Sequence, residues 1–350
     1  MNKKLIFCLL LIFTLCSCSI KPESVKYATQ KAKYSTQENI SFNYNNIDKA
    51  ADIWLTNENL CFLKDNLIQN YYLVNENGKK KICSNNGYGF GEIQDYGDKI
   101  YMLDLKEDID EENAYYLLKY YDVKQKTINE IFTIANCSDF FVINDDVFYL
   151  QFHWHGDTME YSLKMYSLTS KTHTTINNQL FSFGVIENEV YYLTEANGTI
   201  SIFKYDKLAN SSVNCGSFEL NQSVEYFKES AEISYTPNYI MCSLGWLRDQ
   251  SIVWNFSLKD KSLNQFNFDG EIMSFISYDE CSYFISDDEE NTEAIYKFVN
   301  NTGETTKIAE FPGYCGLFVG SDSGAYVVEY DTNKIFYCSE KETPKFIGNF

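Results

Sequence analysis

Residues 139–151 read DFFVINDDVFYLQ, and residues 183–195 read FGVIENEVYYLTE. In both stretches an apolar segment, a turn rich in Asn, Asp or Glu, and a second apolar segment follow one another. Apolar runs on either side of a short polar turn are typical of a β-hairpin. Five further copies complete the set: ADIWLTNENLCFL (51–63), IQDYGDKIYMLDL (93–105), EISYTPNYIMCSL (232–244), FISYDECSYFISD (275–287) and GLFVGSDSGAYVV (316–328).

The spacing of these hairpins predicts the fold. When the copies are aligned on Leu60, Ile100, Val147, Val190, Tyr239, Ser282 and Ala325, they lie 40–49 residues apart. A repeat of about 40–50 residues is that of a β-propeller blade. Five copies continue into a second hairpin, as in SLKMYSLTSKTHTTI (162–176), which gives four strands per repeat. We therefore predict an all-β protein: a seven-bladed β-propeller of four-stranded antiparallel blades over residues 49–350. The alternative, a large β-sandwich, does not produce such a regular pair of hairpins.

The first residues have the pattern of a targeting segment. Lys3 and Lys4 precede an apolar run at 5–16, which is too short to span a bilayer but suits a secretory signal. The stretch LCSC (15–18) resembles the lipobox of bacterial lipoproteins. That resemblance implies cleavage before Cys18 and its lipidation. We predict a signal peptide at 1–17, a lipidated Cys18 with a flexible polar tether over 18–48, and a protein anchored extracytoplasmically at the cell membrane. An ordinary secretory signal is the alternative.

The propeller repeats carry a second resemblance. With hairpin motifs such as KYYD (119–122) and FKYD (203–206), residues 51–350 resemble a group of β-propeller lipoproteins of low-GC Gram-positive bacteria, related to receptor-type and TolB-like propellers. The resemblance implies the fold and a place at the cell surface. It supplies no catalytic residues.

Charge and cysteine usage limit the partners. The formal net charge is −20, and removal of Lys3 and Lys4 makes the chain more negative still. Such charge argues against nucleic acid and anionic lipid surfaces as partners. The eight cysteines after Cys18 form no Cys-x-x-Cys pair, and most lie in or beside apolar strands. We expect buried free thiols rather than a metal centre or a disulfide framework, with a few disulfide pairs as the alternative in an oxidising compartment.

Loops between the second and third strands of each blade, and between blades, emerge on one face of a propeller, and loops on a rigid scaffold commonly carry function. Aromatic and guanidinium side chains dominate recognition surfaces. The repeat alignment places five such residues in these connections, and we predict that they form a binding face for a protein or glycan: Tyr88, Phe90, Trp154, Trp246 and Arg248.

Metal sites are alternatives to this interpretation. His153, His155 and Asp157 project to the same side of an extended chain, and imidazole with carboxylate is a ligand set that zinc accepts. Acidic runs at 107–112 and 287–290, interpreted as loops, offer oxygen ligands for calcium, although neither contains the glycine of a calcium loop. Solvated strand ends and solvated charged loops explain the same residues. No cofactor is predicted beyond these two sites.

The sequence thus favours a surface-anchored lipoprotein with a binding or interaction module. No Gly-x-Ser-x-Gly motif or zinc-protease motif is present, and only three histidines occur. Two alternatives stay open: a carbohydrate-active hydrolase or lyase that uses paired carboxylates, and a scaffold for the assembly of envelope proteins.

Overall fold

A computed structural model describes residues 50–349, with the exception of 56–59, 65–68, 76–77, 86–91, 111–112, 156–157, 220–230, 248–249, 279, 289–291, 322–323 and 333. The predicted signal segment, Cys18 and the predicted tether lie outside the described residues. Among those described, the regular structure is entirely β, with 28 strands in seven four-stranded antiparallel sheets. No helix in this part of the chain is both long and apolar enough to cross a membrane.

Each sheet is built from four consecutive strands, and we number the sheets in chain order. Sheet 1 contains β1 (Ala50–Leu55), β2 (Leu60–Lys64), β3 (Gln69–Asn75) and β4 (Gly78–Asn85). Sheet 2 contains β5 (Glu92–Tyr96), β6 (Lys99–Asp110), β7 (Asn113–Asp122) and β8 (Thr127–Ala135). Sheet 3 contains β9 (Cys137–Ile143), β10 (Asp146–His155), β11 (Thr158–Ser167) and β12 (His173–Leu180).

The remaining sheets follow the same plan. Sheet 4 contains β13 (Ser182–Ile186), β14 (Glu189–Ala196), β15 (Thr199–Asp206) and β16 (Ser211–Glu219). Sheet 5 contains β17 (Ala231–Tyr235), β18 (Tyr239–Leu247), β19 (Gln250–Ser257) and β20 (Leu263–Asp269). Sheet 6 contains β21 (Ile272–Tyr278), β22 (Cys281–Asp288), β23 (Thr292–Val299) and β24 (Thr305–Phe311). Sheet 7 contains β25 (Cys315–Ser321), β26 (Gly324–Glu329), β27 (Lys334–Ser339) and β28 (Glu342–Asn349).

Turn chemistry explains the tight hairpins. In sheet 3, Asn144 and Asp145 both adopt positive φ between β9 and β10, and in sheet 4 Glu187 and Asn188 do the same between β13 and β14. Two-residue turns with positive φ at both positions match the twist of the flanking strands, and Asn and Asp tolerate that conformation well. The predicted hairpins at 139–151 and 183–195 are confirmed.

The hydrophobic core lies between the sheets, because both faces of the inner strands are apolar. In β10, Val147 and Tyr149 pack toward sheet 2, while Phe148 and Leu150 pack toward sheet 4. Alternate residues of a strand point to opposite faces, so a strand buried on both faces reads as a continuous apolar run. Similar clusters join sheets 4 and 5, 5 and 6, and 6 and 7.

First strands of neighbouring sheets also contact one another: β5 with β9, β13 with β17, β17 with β21, β21 with β25, and β1 with β25. Side chains of one sheet form hydrogen bonds with the main chain of the next sheet across these contacts. The Gln94 amide donates to the Val142 carbonyl and accepts from the Val142 N–H at 2.7 Å, and a Glu232 carboxylate oxygen accepts from the Phe275 N–H at 2.8 Å. Such bonds fix the register of one sheet against the next.

Candidate functional site

Each sheet has two ends, which we call the lower and the upper end. The lower end carries the turns between the first and second strands and between the third and fourth, such as Asn144–Asp145 and 207–210. The upper end carries the turn between the second and third strands and the connection to the next sheet, such as Asn197–Gly198 and Asn136. Of the predicted binding residues, Trp154 and Trp246 lie in second strands that run to the upper end.

Sheet 3 presents an aromatic edge at its upper end. Trp154 of β10 pairs with Met159 of β11, and these large apolar side chains are 37% and 41% exposed. We call Trp154 and Met159 the ledge. One position lower on the same face, the rings of Phe152 and Tyr161 lie edge to face with their centroids 6.5 Å apart. A rigid aromatic base beneath two exposed apolar side chains is suited to recognition.

The ledge is exposed because sheet 4 is shorter at this point. When the strands are aligned on Val147 and Val190, Trp154 is level with Asn197, which already belongs to the turn between β14 and β15. Asn197 and Gly198 adopt positive φ, as a tight two-residue turn requires. β10 therefore extends beyond the strand that would otherwise cover its apolar face.

A buried asparagine holds this edge against sheet 2. Asn136 lies between β8 and β9 with φ of 52°. Its N–H donates to the Ala114 carbonyl at 2.7 Å, its side-chain oxygen accepts from the Ala114 N–H at 2.9 Å, and its carbonyl accepts from the Phe152 N–H at 2.9 Å. These bonds fix the start of β7 and the upper part of β10 together.

The predicted zinc ligands are only partly described. His153 is half-buried and pairs with Glu160 across β10 and β11. His155 is the last residue of β10, but its side chain, like Asp157, lies outside the described part. Among the described side chains, no group of three His, Cys, Asp or Glu is arranged to hold a metal ion. The zinc site stays a prediction.

Other predicted residues fall in different places. Tyr88, Phe90 and Arg248 lie outside the described residues, and Trp246 lies in β18 with its side chain likewise outside. The interpretation of the acidic runs as loops is wrong in part. Residues 107–110 continue β6, and 287–288 continue β22, because both stretches still find pairing partners on the next strand.

An aromatic seam joins sheets 2 and 3 around His173, the first residue of β12. The His173 ring lies 5.2 Å from Phe132 and 4.7 Å from Tyr166, and its Nδ1 shares a 2.9 Å hydrogen bond with the Tyr149 hydroxyl. Burial, and then the Lys164 ammonium, lower the pKa of His173, and burial raises the pKa of Tyr149 to about 12. The lowered pKa favours the neutral imidazole, which packs against these rings.

A cavity of about 480 Å³ opens at the lower ends of sheets 3 and 4. Asp146, buried at the start of β10, lines it and forms an ion pair with Lys207, which follows β15 in the next sheet. Phe148 and Tyr205 face each other across the two sheets with ring centroids 6.2 Å apart. Burial, then the charges of Asp146 and Asp206, raise the pKa of Tyr205.

The opposite side of sheet 4 completes the cavity. Lys204 lines it and pairs with Glu189, while Cys215 packs toward sheet 5. The sequence-based prediction did not include this site, because every predicted binding residue was assigned to a connection of the other kind, between second and third strands or between sheets. One sequence feature does point to this region. FKYD (203–206), which is similar to KYYD (119–122), forms the end of β15 and leads into the turn that carries Lys207.

Comparisons with solved structures identify the architecture. The chain is similar to an oligogalacturonate lyase in complex with manganese (12% identity, 83% of this chain and 85% of that chain, TM-score 0.52). It is similar to the β-propeller domain of the trilobed protease of Pyrococcus furiosus, which has an open velcro topology (12% identity, 89% and 97%, TM-score 0.57). It is also similar to the uncomplexed Pyrococcus horikoshii acylaminoacyl peptidase (10% identity, 88% and 54%, TM-score 0.57).

This chain spans about half the length of that peptidase. No protein-family model and no curated protein sequence matches it. At such low identities the likenesses concern the fold alone. The prediction of a β-propeller with four-stranded antiparallel blades is confirmed.

Proposed function

We propose that this protein is a seven-bladed β-propeller that acts as a binding module, held at the outer face of the cytoplasmic membrane by a lipid on Cys18. The number of blades is supported by the seven successive sheets and by the contact between β1 and β25, which belong to the first and last of them. The anchor is supported by the lipobox-like LCSC at 15–18.

The observation that carries the binding role is the ledge. Exposed apolar residues that stand singly on a surface are ordinary, but here two large side chains pair across strands above a rigid aromatic base. Trp is among the side chains that most often anchor a partner. The predicted partners are a glycan or a protein segment. Both offer flat apolar faces for the Trp154 ring.

A binding screen tests this role. The full-length protein, solubilised in detergent, is applied to glycan and cell-wall-fragment arrays, and hits are measured again with Trp154→Ala. We expect a loss of about 1–3 kcal/mol in binding free energy. Leu263→Ala is the matched control, since Leu263 is 36% exposed but begins the fourth strand of sheet 5, at the lower end. Equal binding by Trp154→Ala and wild type would remove the ledge from the proposal.

The anchor has its own test. Radiolabelled palmitate should label the wild type, and Cys18→Ala should leave the precursor uncut or release the protein from the membrane fraction. An unlabelled wild type that sediments with membranes to the same extent as Cys18→Ala would refute the anchor.

A carbohydrate-active enzyme is the second candidate, because one protein of similar fold is an oligogalacturonate lyase. The glycans on the same arrays distinguish an enzyme from a binding module when they are incubated with the protein and the products are measured. A lyase leaves an unsaturated sugar that absorbs in the ultraviolet, and a hydrolase leaves a new reducing end, whereas a binding module changes neither reading.

A further inference from the structure

The cavity at the lower ends of sheets 3 and 4 holds a buried carboxylate whose counter-ion comes from elsewhere in the chain. The Asp146 side chain is 3% exposed, whereas its partner Lys207 is 51% exposed and lies 61 residues away in sequence. A carboxylate removed from water needs a cation beside it, and removal of that cation leaves an uncompensated buried charge. Here the cation reaches Asp146 from a half-exposed turn rather than from within the core.

The walls around this carboxylate are apolar and aromatic. Phe148 and Val190 are buried there, and the Tyr205 ring faces Phe148 while its hydroxyl donates to the Asn210 side chain at 2.9 Å. A volume of about 480 Å³ lies within the range of small-molecule sites. Aromatic faces attract organic cations, and a single buried carboxylate fixes the position of an ammonium group.

We propose that this cavity binds an organic cation, a primary ammonium group on an apolar body, and that Lys207 occupies the ammonium position when no ligand is present. The ligand's ammonium replaces the Lys207 ammonium on Asp146, and its apolar part contacts Phe148 and Tyr205. Exchange of one cation for another keeps the buried carboxylate neutralised throughout. The net charge of −20 raises the local concentration of cations around the protein. This site lies at the end of the sheets opposite the ledge and does not depend on it.

Two sources could supply such a group: a free amine, or a lysine side chain of another protein. Their chemistry is the same, so the test includes both. The probes are 2-phenylethylammonium and the dipeptide amide acetyl-Phe-Lys-amide. The neutral isostere 2-phenylethanol reports binding that needs no charge.

The experiment measures dissociation constants by isothermal titration calorimetry on the full-length protein in detergent. Wild type should bind at least one of the two cationic probes and not the alcohol. Lys207→Met removes the competing ammonium at similar side-chain length and should tighten cation binding about tenfold. Asp146→Asn should abolish it. Tighter binding of the dipeptide points to a protein lysine, and tighter binding of the free amine points to a small metabolite.

Lys204→Met is the matched control. Lys204 also lines the cavity, but its ammonium pairs with Glu189 rather than Asp146, so cation binding should change by less than about twofold. If Asp146→Asn does not fold, Lys207→Met alone decides the matter. The proposal is overturned if Lys207→Met does not tighten cation binding, if neither cation binds, or if the alcohol binds as well as the amine.

Discussion

Asn136 and Ala114 are joined by two hydrogen bonds, one in each direction, although 22 residues separate them. Asn136 is 7% exposed and belongs to the short connection between sheets 2 and 3, so its side-chain oxygen substitutes for a missing strand partner at the start of β7. Because Asn136 also accepts from the Phe152 N–H, the same residue positions the strand that carries Trp154.

Replacement of Asn136 by Ala should destabilise the protein through this link. The Ala114 N–H loses its acceptor, which costs about 1–3 kcal/mol when the group is buried. Alanine at positive φ adds about 1–2 kcal/mol. Asn197→Ala isolates the second cost, because Asn197 has nearly the same φ, 53°, on an exposed turn. The measurement is the free energy of unfolding in urea for both variants. Equal values would show that the bond between the Asn136 side chain and the Ala114 N–H contributes nothing to stability.

Gly184 in β13 should be intolerant of any side chain. A Cβ there would lie 2.2 Å from a ring carbon of Tyr235, which is buried in the neighbouring sheet. Gly184→Ala should therefore cost about 1–3 kcal/mol by overpacking. Tyr235→Ala alone should cost about 3–5 kcal/mol by leaving a cavity.

The double variant tests the contact between them. With the ring removed, the new methyl group has room, so Gly184→Ala with Tyr235→Ala should cost less than the two single changes added together. Ser182→Ala is the control. It removes the acceptor of the Tyr235 hydroxyl, at 3.0 Å, without adding volume, and should cost about 1 kcal/mol. Strict additivity in the double variant would contradict the close approach.

Acid should weaken the seam at His173. Its pKa is lowered in the folded protein, chiefly by burial, so the folded state binds a proton less readily than the unfolded state. Its stabilising contribution is present above the unfolded pKa of about 6.5 and is lost as the pH falls through the lower folded value.

We expect His173→Gln to be less sensitive than wild type to a change from pH 7.5 to pH 5. The difference should be below about 1 kcal/mol, because the side chain remains partly exposed to solvent. Thermal unfolding at both pH values, in buffers of equal ionic strength, provides the measurement. Identical pH dependence of the two proteins would assign the acid sensitivity to other groups.

Cysteine reactivity should follow burial. Cys242 is fully enclosed between sheets 4 and 5, and burial raises its pKa to about 12, whereas half-buried Cys215 in sheet 4 has its pKa raised by burial but lies nearer to solvent. The thiolate is the reactive form, so iodoacetamide at pH 8 should label Cys215 before Cys242. Peptide mapping by mass spectrometry gives the two rates. Labelling of Cys242 at the rate of Cys215 in the native protein would refute the packing described.

The sequence predicted the strands well and the surface poorly, for a physical reason. A hairpin such as 139–151 is encoded by neighbouring residues: apolar alternation on both sides of Asn144 and Asp145, which tolerate positive φ. Among the described side chains, the thiols of Cys215, Cys242, Cys315 and Cys338 form no disulfide, which agrees with their place in or beside apolar strands. Local pattern was sufficient in both cases.

The cavity depends on residues from two sheets, and no local pattern relates Asp146 to Lys207. The acidic run at 107–110 was misinterpreted for a different reason. Its charge indicated a loop, but its main chain pairs with β7 and continues the strand. The position of Trp154 could be predicted, because the aligned repeats show where the second strand of each sheet ends. Its exposure follows from the shorter β14 of sheet 4, a feature that only the comparison of two repeats reveals.

Because each sheet is made of four consecutive strands, the chain can build itself in the order of its synthesis. Each described strand ladder joins strands of a single sheet, so each sheet can form once its own residues have emerged. The contact between β1 and β25 joins the first and the last of these sheets, so it forms only after most of the chain has emerged. Assembly should therefore proceed as a growing stack of sheets whose two outer apolar flanks, on sheet 1 and on the newest sheet, stay uncovered until the last sheet is added. Premature termination within sheet 7 would leave both flanks open and favour aggregation.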